Sequence, residues 1–379
     1  MKTLPPLASL RAQVSMPRLN QPDPWLLLAT AGLVGLGIVM VFNASYFYAQ
    51  DRYGDAFVFF RKQLVAVGIG TVLLLAVSHV RLQWFERLAN PLLIGVLLVL
   101  ALVLIPGIGI ARGGARRWVG IGPFHFQPSE LAKIAVVLYL ARSISRKRDC
   151  MAQFSRGVLP HLVTVGLCAL LIAVQPDLGT AAILILVLAL MLYGGGVRLA
   201  HLVGLGLAAV PVMAVAIIGA PYRWRRILAF LDPWRYSQDI AFQLVQSLIA
   251  FGSGGINGIG LGESKQKMFF LPEAHTDFIF ALIGEELGLW GALAVLALFA
   301  VIGMRGFRIA LRHPDSFASL LAFGLTSGIL LQAVVNVGVV VGLLPTKGLA
   351  LPFLSYGGSA LIGALAQIGV LAALSRMTG

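Results

Sequence analysis

The chain has 379 residues, of which 59% are hydrophobic and only 12% are charged, and its formal net charge is +14. Soluble proteins carry about 25% charged residues, so this composition excludes an ordinary soluble protein and indicates a membrane protein. The positive charge does not indicate nucleic-acid binding, because the chain has no basic soluble module and because Lys and Arg in membrane proteins mainly set orientation.

Ten stretches of the sequence are apolar over nearly the length that a membrane span requires. They predict an all-α membrane protein, a polytopic bundle of ten transmembrane helices. The stretches are 25–43, 63–79, 88–105, 128–142, 158–174, 178–193, 199–219, 277–303, 317–343 and 354–374. Residues 1–24, which include five prolines, are expected to form a cytoplasmic tail, and residues 25–379 a single transmembrane domain. Residues 220–276 are expected to form a large outer loop between spans 7 and 8.

The charged loops predict how the bundle is oriented. Ten spans put both termini on one side, and the most basic short loops, 142–156 and 305–312, fall on that side. The positive-inside rule places this side in the cytoplasm. Arg116 and Arg117 follow the third span and Lys347 follows the ninth, all in outer loops where basic residues run against the rule. We therefore expect these residues to bind a negatively charged group.

The fourth span begins with two ionisable residues. Glu130 and Lys133 are three residues apart, so their side chains can meet on one face of the helix. Ionisable groups within spans are rare and usually functional, and Lys133 can reach either a phosphate or Asp277. The alternative is a self-neutralising pair inside the membrane. Asp177, in the short outer turn before the sixth span, is expected to have a structural role, either as the cap of that span or in an Asx turn.

The outer loop contains a helix-forming stretch and a glycine-rich stretch. Residues 238–251 mix polar and apolar side chains in a pattern that predicts a helix lying in the membrane interface or re-entering it. Residues 252–262 lack the Gly-Lys-Ser/Thr ending of a nucleotide-binding loop and the strand–helix unit that surrounds one. We expect a bent loop that approaches its neighbours closely.

Asp277 stands at the outer end of the eighth span, where a carboxylate is costly. The fourth, eighth and tenth spans run inward, so their N-terminal N–H groups point toward the outer face and favour anions there. His275 is expected to orient the acid or to pack beside it. Ser355 is expected to leave backbone groups exposed at the start of the tenth span. Glu285 and Glu286, deeper in the eighth span, are expected to form hydrogen bonds between helices.

Five runs of residues together resemble the SEDS family of bacterial cell-wall polymerases (shape, elongation, division and sporulation). The runs are 115–119, 126–133, 175–179, 275–280 with 284–288, and 344–348 followed by 352–359. The resemblance covers about residues 25–375, and the combination of runs is highly specific. The Thr-Lys-Gly run that contains Lys347 is typical of division-type members, with an elongation-type member as the alternative. The family usually has one arginine before the tryptophan, and Arg117 matches it by register, which leaves Arg116 unassigned.

The resemblance implies a peptidoglycan glycosyltransferase in the bacterial inner membrane, with its active site on the periplasmic face. It implies polymerisation of lipid II, with undecaprenyl pyrophosphate as the leaving group. Its implied partners are a class B penicillin-binding protein, other division proteins and membrane lipid. Asp277 matches the residue proposed as catalytic in the family. The substrate-binding set predicted beside it comprises Arg116, Arg117, Glu130, Lys133, His275, Lys347 and Ser355.

One inverting displacement needs a single general base, which would be Asp277, and basic residues would stabilise the pyrophosphate. A divalent ion such as Mg²⁺ or Mn²⁺ can assist, although the sequence shows no dedicated set of ligands for one. Two other functions stay open on the residues alone. A lipid II flippase would need charged groups along its whole path, and a scaffold would tolerate replacement of Asp277. Asp277 and Lys133 can also form a salt bridge that only holds helices together.

Overall fold

A computed structural model describes residues 21–112, 115–121, 124–219, 221–267, 271–272 and 274–377. Residues 1–20 of the predicted N-terminal tail, 1–24, lie outside the described residues. The described chain is mostly helical. Its longer helices are α1 (Pro24–Tyr53), α2 (Val58–Ser78), α3 (Leu82–Val103), α4 (Pro128–Arg146), α5 (Leu159–Val174), α6 (Leu178–Gly194), α7 (Leu199–Ile218), α8 (Pro221–Leu231), α9 (Phe242–Gly254), α10 (Ile279–Glu286), α11 (Gly288–Arg312), α12 (Ser316–Val340) and α13 (Gly358–Arg376).

Seven helices of the described residues are long and apolar enough to cross a membrane. They are α1, α2, α3, the segment Phe154–Val174 that includes α5, and α11, α12 and α13. Shorter apolar helices cover Leu178–Gly194 and Leu199–Pro211. These helices agree with a multi-pass membrane protein, whereas the number of ten spans stays a prediction. The predicted fourth span corresponds to α4, which carries ionisable residues near both ends and is buried along most of its length.

A small sheet on the segment between α3 and α4 corrects the all-α prediction. Its strands are β1 (Gly109–Arg112), β2 (Ala115–Ile121) and β3 (Phe124–Phe126), antiparallel in the order β1-β2-β3. Trp, Val, Ile and Phe in this short stretch favour strands, but the apolar helices on either side dominate the hydropathy pattern. The sheet places the pair Arg116 and Arg117 on its central strand.

The predicted eighth span, residues 277–303, is two helices in the structure. α10 ends at Glu286 and α11 begins at Gly288, whose φ of 66° lies in the left-handed region that glycine adopts without strain. A Cβ on Gly288 would overlap the backbone of Gly258 in the outer loop. The break therefore needs glycine both for its backbone angle and for the close contact.

Part of the segment 220–276, which we name the outer loop after its predicted position, packs into this break. The backbone N–H of Ile259 donates to the backbone oxygen of Glu285 at 3.0 Å, and that of Gly260 donates to the backbone oxygen of Glu286 at 3.1 Å. On the other side of the break, the N–H of Leu289 donates to the oxygen of Gly255 at 3.0 Å. The predicted bent, closely packed loop is confirmed, and it satisfies backbone groups that the broken helix leaves open.

The buried centre of the bundle consists of α4, α12 and α13. α12 packs against α4, α6 and α11, while α13 packs along α2. Both α12 and α13 are buried over most of their length. Polar side chains on α12 therefore face neighbouring protein rather than lipid, and these side chains organise the candidate site.

Candidate active site

Asp277 lies in the turn just before α10, where its side chain is half-buried. Asn336 of α12 donates its Nδ2 to the backbone oxygen of Asp277 at 2.8 Å and to that of Leu349 at 2.6 Å. The carboxylate lies beside Gly348, since a Cβ on that glycine would come within 2.9 Å of Asp277 Oδ2. α12 thus holds the turn with the acid against residues 341–357, which we name the last outer loop after their predicted position.

Glu130 and Lys133 form the ion pair that their spacing predicts, with Nζ and Oε2 2.8 Å apart and both side chains largely buried. Lys133 Nζ also donates to Gln332 Oε1 of α12 at 2.6 Å. Gln332 Nε2 in turn donates to the backbone oxygen of Ala350 in the last outer loop at 2.7 Å. The buried ammonium is therefore both neutralised and oriented.

Gln332 and Asn336 are the site residues that the sequence analysis missed. They are four residues apart, so they lie on one face of α12, and each donates to the last outer loop. Two amides one turn apart in a 25-residue apolar helix were a usable signal, because polar side chains in a span usually have a partner. The partners here are backbone carbonyls, which no residue pattern marks.

A cavity lies beside Lys133 between α4, α6, α12 and α13. Its polar lining includes Lys133, Gln332 and Gln367, and the remaining lining is largely apolar. A volume of about 20 Å³ matches what one water molecule requires. A water molecule there would have Lys133, Gln332 and Gln367 as hydrogen-bond partners.

Lys347 is half-buried in the last outer loop beside a second cation. Burial and the charge of Arg226 lower the pKa of the Lys347 amine below its ordinary value, while Asp177 acts in the opposite direction. Arg226, from α8, donates from its Nη1 to the backbone oxygen of Thr346 at 3.2 Å. A lowered lysine pKa means that the charged form is poorly compensated, so a bound anion would stabilise this arrangement.

The two arginines of β2 occupy different environments. In the pairing of β1 with β2, Ile110 faces Trp118 and Ala111 faces Arg116, so Arg117 is the extra residue of a β-bulge. Arg116 is exposed, whereas Arg117 is half-buried. The Nε of Arg117 is buried and has no hydrogen-bond partner among the described residues. A guanidinium with an unused buried donor suits a phosphate group.

His275 packs in an aromatic cluster. Its ring centroid lies 4.8 Å from that of Phe59, 5.6 Å from that of Tyr48 and 5.7 Å from that of Tyr356. Burial lowers the pKa of His275 to about 4, so the imidazole is neutral at neutral pH. Its backbone oxygen accepts from the N–H of Tyr356 at 2.9 Å. The geometry matches the expected packing role, and it ties the turn before Asp277 to the start of α13.

Capping hydrogen bonds hold the turns around the site. Ser355 is buried and its Oγ accepts from the N–H of Leu351 at 2.8 Å, which closes a turn of the last outer loop. Asp177 accepts from the N–H of Thr180 at 3.1 Å and so caps α6, as expected. Its other oxygen accepts from Gln127 Nε2 at 3.1 Å, which links this cap to the start of α4. Both side chains are therefore engaged in local structure.

The described contacts link some of the predicted site residues to the acid. Asp277 lies beside Gly348, which follows Lys347 in the chain, and its backbone is held by Asn336, one turn along α12 from the Gln332 that binds Lys133. Arg117 lies on β2, on the segment that leads into α4. An acid with basic groups of this kind can accept a proton while the cations stabilise an anion. The arrangement suits transfer from a phosphorylated donor.

Comparison with known proteins gives a consistent result. The model of the FtsW, RodA and SpoVE family, described as cell cycle protein, matches residues 24–379. A probable peptidoglycan glycosyltransferase FtsW of Geobacter sulfurreducens is 43% identical over 367 residues, which are 97% of this chain and 98% of the relative. The stage V sporulation protein E of Bacillus subtilis is 42% identical over 357 residues, covering 94% of this chain and 98% of that protein.

Solved structures show the same similarity. A chain from work described as "Structural coordination of polymerization and crosslinking by a peptidoglycan synthase complex" is 31% identical, with a TM-score of 0.79, and the match covers 94% of this chain and 98% of that one. The rod shape determining protein RodA of Thermus thermophilus is 30% identical with a TM-score of 0.70, covering 94% and 97%.

Proposed function

The chain belongs to the FtsW, RodA and SpoVE family of cell cycle proteins, and we propose that it is a peptidoglycan glycosyltransferase that polymerises lipid II during cell division. The observation that carries this proposal is the half-buried Asp277, whose carboxylate lies against Gly348, the residue after Lys347 in the last outer loop. The FtsW relatives support the division role, and the Thr-Lys-Gly run in the last outer loop is consistent with it.

The reaction needs one displacement at the anomeric carbon of the donor sugar. The hydroxyl oxygen of the acceptor sugar forms a bond to that carbon while the bond from carbon to the pyrophosphate oxygen breaks, which converts an α linkage into a β linkage. Asp277 takes the proton of the attacking hydroxyl as general base. The electron pair leaves on undecaprenyl pyrophosphate. One carboxylate is enough, because no covalent intermediate is formed.

Negative charge that develops on the leaving group must be stabilised by groups already in place. Arg117, Lys133 and Lys347 are the residues we assign to this role, with Glu130 and Gln332 orienting Lys133. The described ranges contain no group of three or more His, Cys, Asp or Glu that could hold a metal ion. A Mg²⁺ or Mn²⁺ ion, if the reaction uses one, would supply positive charge to the leaving group alongside these residues.

We place the site on the periplasmic face of the bacterial inner membrane and both termini in the cytoplasm, since the short basic loops then lie inside. The partner we propose is a class B penicillin-binding protein, which would crosslink the strands. Similarity to a chain of a peptidoglycan synthase complex supports this partner. Other division proteins are proposed to control the pair, and the polyprenyl tail of lipid II would lie along lipid-facing helices.

The test is polymerisation of purified lipid II by the purified protein, alone and with the transpeptidase partner. Asp277→Ala and Asp277→Asn should lose activity about 100-fold or more, the usual contribution of a general base. Asp239→Asn is a matched control, because Asp239 is an exposed outer-loop acid paired with Arg225 at 2.5 Å. Polymerisation at the wild-type rate by Asp277→Ala would overturn the proposal.

Two further assays separate the alternatives. Translocation of lipid II in vesicles that is unaffected by Asp277→Asn, without polymerisation, would favour a flippase. Complementation decides between the division-type and elongation-type roles. We expect the chain to restore division in cells depleted of their own division-type member, and rescue of elongation alone would assign it to the RodA type.

A further inference from the structure

A second buried polar cluster lies at the break between α10 and α11. Lys267 of the outer loop and Glu286 of α10 form an ion pair, with Nζ and Oε1 3.6 Å apart and side chains that are 4% and 0% exposed. Asn43 of α1 lies between them. Its Oδ1 accepts from Lys267 Nζ at 2.8 Å, and its Nδ2 donates to Glu286 Oε2. One amide thus bonds both charges.

The same loop also bonds the neighbouring glutamate. Ser264 donates its backbone N–H to Glu286 at 3.3 Å and its hydroxyl to Glu285. Ser253, at the end of α9, directs its hydroxyl to Glu285 at 3.4 Å, and Lys267 also donates to the oxygen of Gly262. The two glutamates were expected to bond between helices. They do so, Glu286 with Asn43 of α1 and Glu285 with Ser253 of α9, and their further bonds are to Ser264 and Lys267 of the outer loop.

The position of this cluster in the chain relates it to the active site. Asp277 stands ten residues after Lys267 and nine residues before Glu286. The ion pair therefore joins the two ends of the segment that carries the acid. Joining the two ends of a segment limits the arrangements open to the residues between them. Asn336 then fixes that middle through the backbone of Asp277.

We propose that Asn43, Lys267 and Glu286 are positioning residues that close the segment 267–286 and so set the place of the base. The inference rests on the proposed function, in which Asp277 is that base. A misplacement of about 1 Å at a reacting group can cost about 100-fold in rate. Opening the pair should therefore lower kcat and leave lipid II binding by the cations largely unchanged.

The chemistry of a buried ion pair gives the proposal a specific signature. Removing one partner leaves an uncompensated charge in an apolar environment, whereas removing both can be nearly neutral. Lys267→Met and Glu286→Gln should each lower kcat about tenfold or more, with KM for lipid II within about twofold. The double variant Lys267→Met/Glu286→Leu should recover most of the lost rate, because a Met–Leu contact can join the two ends without a buried unpaired charge. Asn43→Asp should resemble the single variants, because it removes the donor and faces Glu286 with a like charge.

Arg146→Met is the matched control for loss of a cation from an ion pair. Arg146 pairs with Glu86 at 2.7 Å, but both side chains are exposed and lie at the opposite end of α4 from the site. An exposed pair contributes little, so kcat should stay within about twofold of the wild type. Wild-type kcat in Lys267→Met, a double variant no faster than the singles, or a defect confined to KM would each overturn the proposal.

Hydrogen exchange tests the closure without using activity. In the Asp277→Ala background, deuterium uptake in peptides covering 274–284 should rise with Lys267→Met and return toward the parent level in the double variant. Unchanged uptake in the single variant would refute the closure even if Asp277 is the base. If Asp277→Ala polymerises like the wild type, the proposed function fails, while the uptake still reports on the cluster itself.

Discussion

Replacing Asn336 with leucine tests whether α12 sets the position of the base. The side chain is 2% exposed, and its Nδ2 donates to the backbone oxygens of Asp277 and Leu349 at 2.8 Å and 2.6 Å. Leucine has a similar shape but cannot donate a hydrogen bond. Asn336→Leu therefore removes both bonds and leaves two carbonyl oxygens facing an apolar side chain.

The expected magnitude follows from those two bonds. A hydrogen bond between uncharged groups contributes about 1 kcal/mol net, and a buried acceptor left without a donor costs about 1–3 kcal/mol. At the lower figure, the two bonds favour the aligned arrangement of Asp277 and the last outer loop by about 2 kcal/mol. Each 1.36 kcal/mol is about tenfold, so the aligned population falls about 30-fold. We expect kcat/KM for lipid II polymerisation to fall by this factor.

The assay is the initial rate of polymerisation by purified variants, with thermal melting in detergent to show that each is folded. Gln63→Leu on α2 is the matched control. Gln63 is 1% exposed, and neither side-chain polar atom has a hydrogen-bond partner in the described part of the chain. The same change of amide to isobutyl should therefore leave the rate within about twofold. A folded Asn336→Leu variant with a rate within threefold of the wild type would refute the reasoning.

Three further predictions concern neighbours of the base. Gly348→Ala should lower kcat because its Cβ would displace the carboxylate, whereas Gly358→Ala, which meets only an ordinary contact at 3.8 Å, should not. Glu130→Gln leaves the Lys133 ammonium buried without its carboxylate, which costs about 3–5 kcal/mol, so its melting temperature should lie below that of Glu130→Gln/Lys133→Met. Burial lowers the pKa of His275 from 6.5 to about 4. Between pH 6.5 and about pH 4 the unfolded chain therefore binds more protons than the folded chain. The free energy of unfolding should fall by up to about 3 kcal/mol as the pH drops through this range. Melting curves of His275→Phe should lack this pH dependence.

The chemistry of the site could be predicted from the sequence because ionisable groups at membrane depth are few. The spacing of Glu130 and Lys133 predicted a pair on one helix face, and the structure confirms a salt bridge of 2.8 Å. The cap by Asp177 followed from its place in a short turn and is also confirmed. The difference between Arg116 and Arg117 could not be predicted, because it depends on a β-bulge, and a bulge is set by pairing with another strand.

Most helices could be predicted from hydropathy, but the break in the predicted eighth span could not. Gly288 stands in an apolar stretch, and a single glycine is tolerated within a helix. Only the contact with Gly258 of the outer loop shows that this glycine takes a positive φ and ends one helix. The sheet was missed for a related reason. Its three short strands pair with each other, and their pattern is weak beside that of the neighbouring spans.

The contacts that place Asp277 share a property that explains why the sequence does not show them. Asn336 and Gln332 bond to backbone oxygens, and every residue has a backbone oxygen. A side-chain pair such as Lys267 with Glu286 could be guessed from charge, but several acids and bases compete for that assignment. Residue types therefore indicate which acid in a membrane protein is functional, whereas the position of that acid depends on hydrogen bonds to the backbone. Substitutions that remove only those bonds, and keep every ionisable group, separate the two contributions.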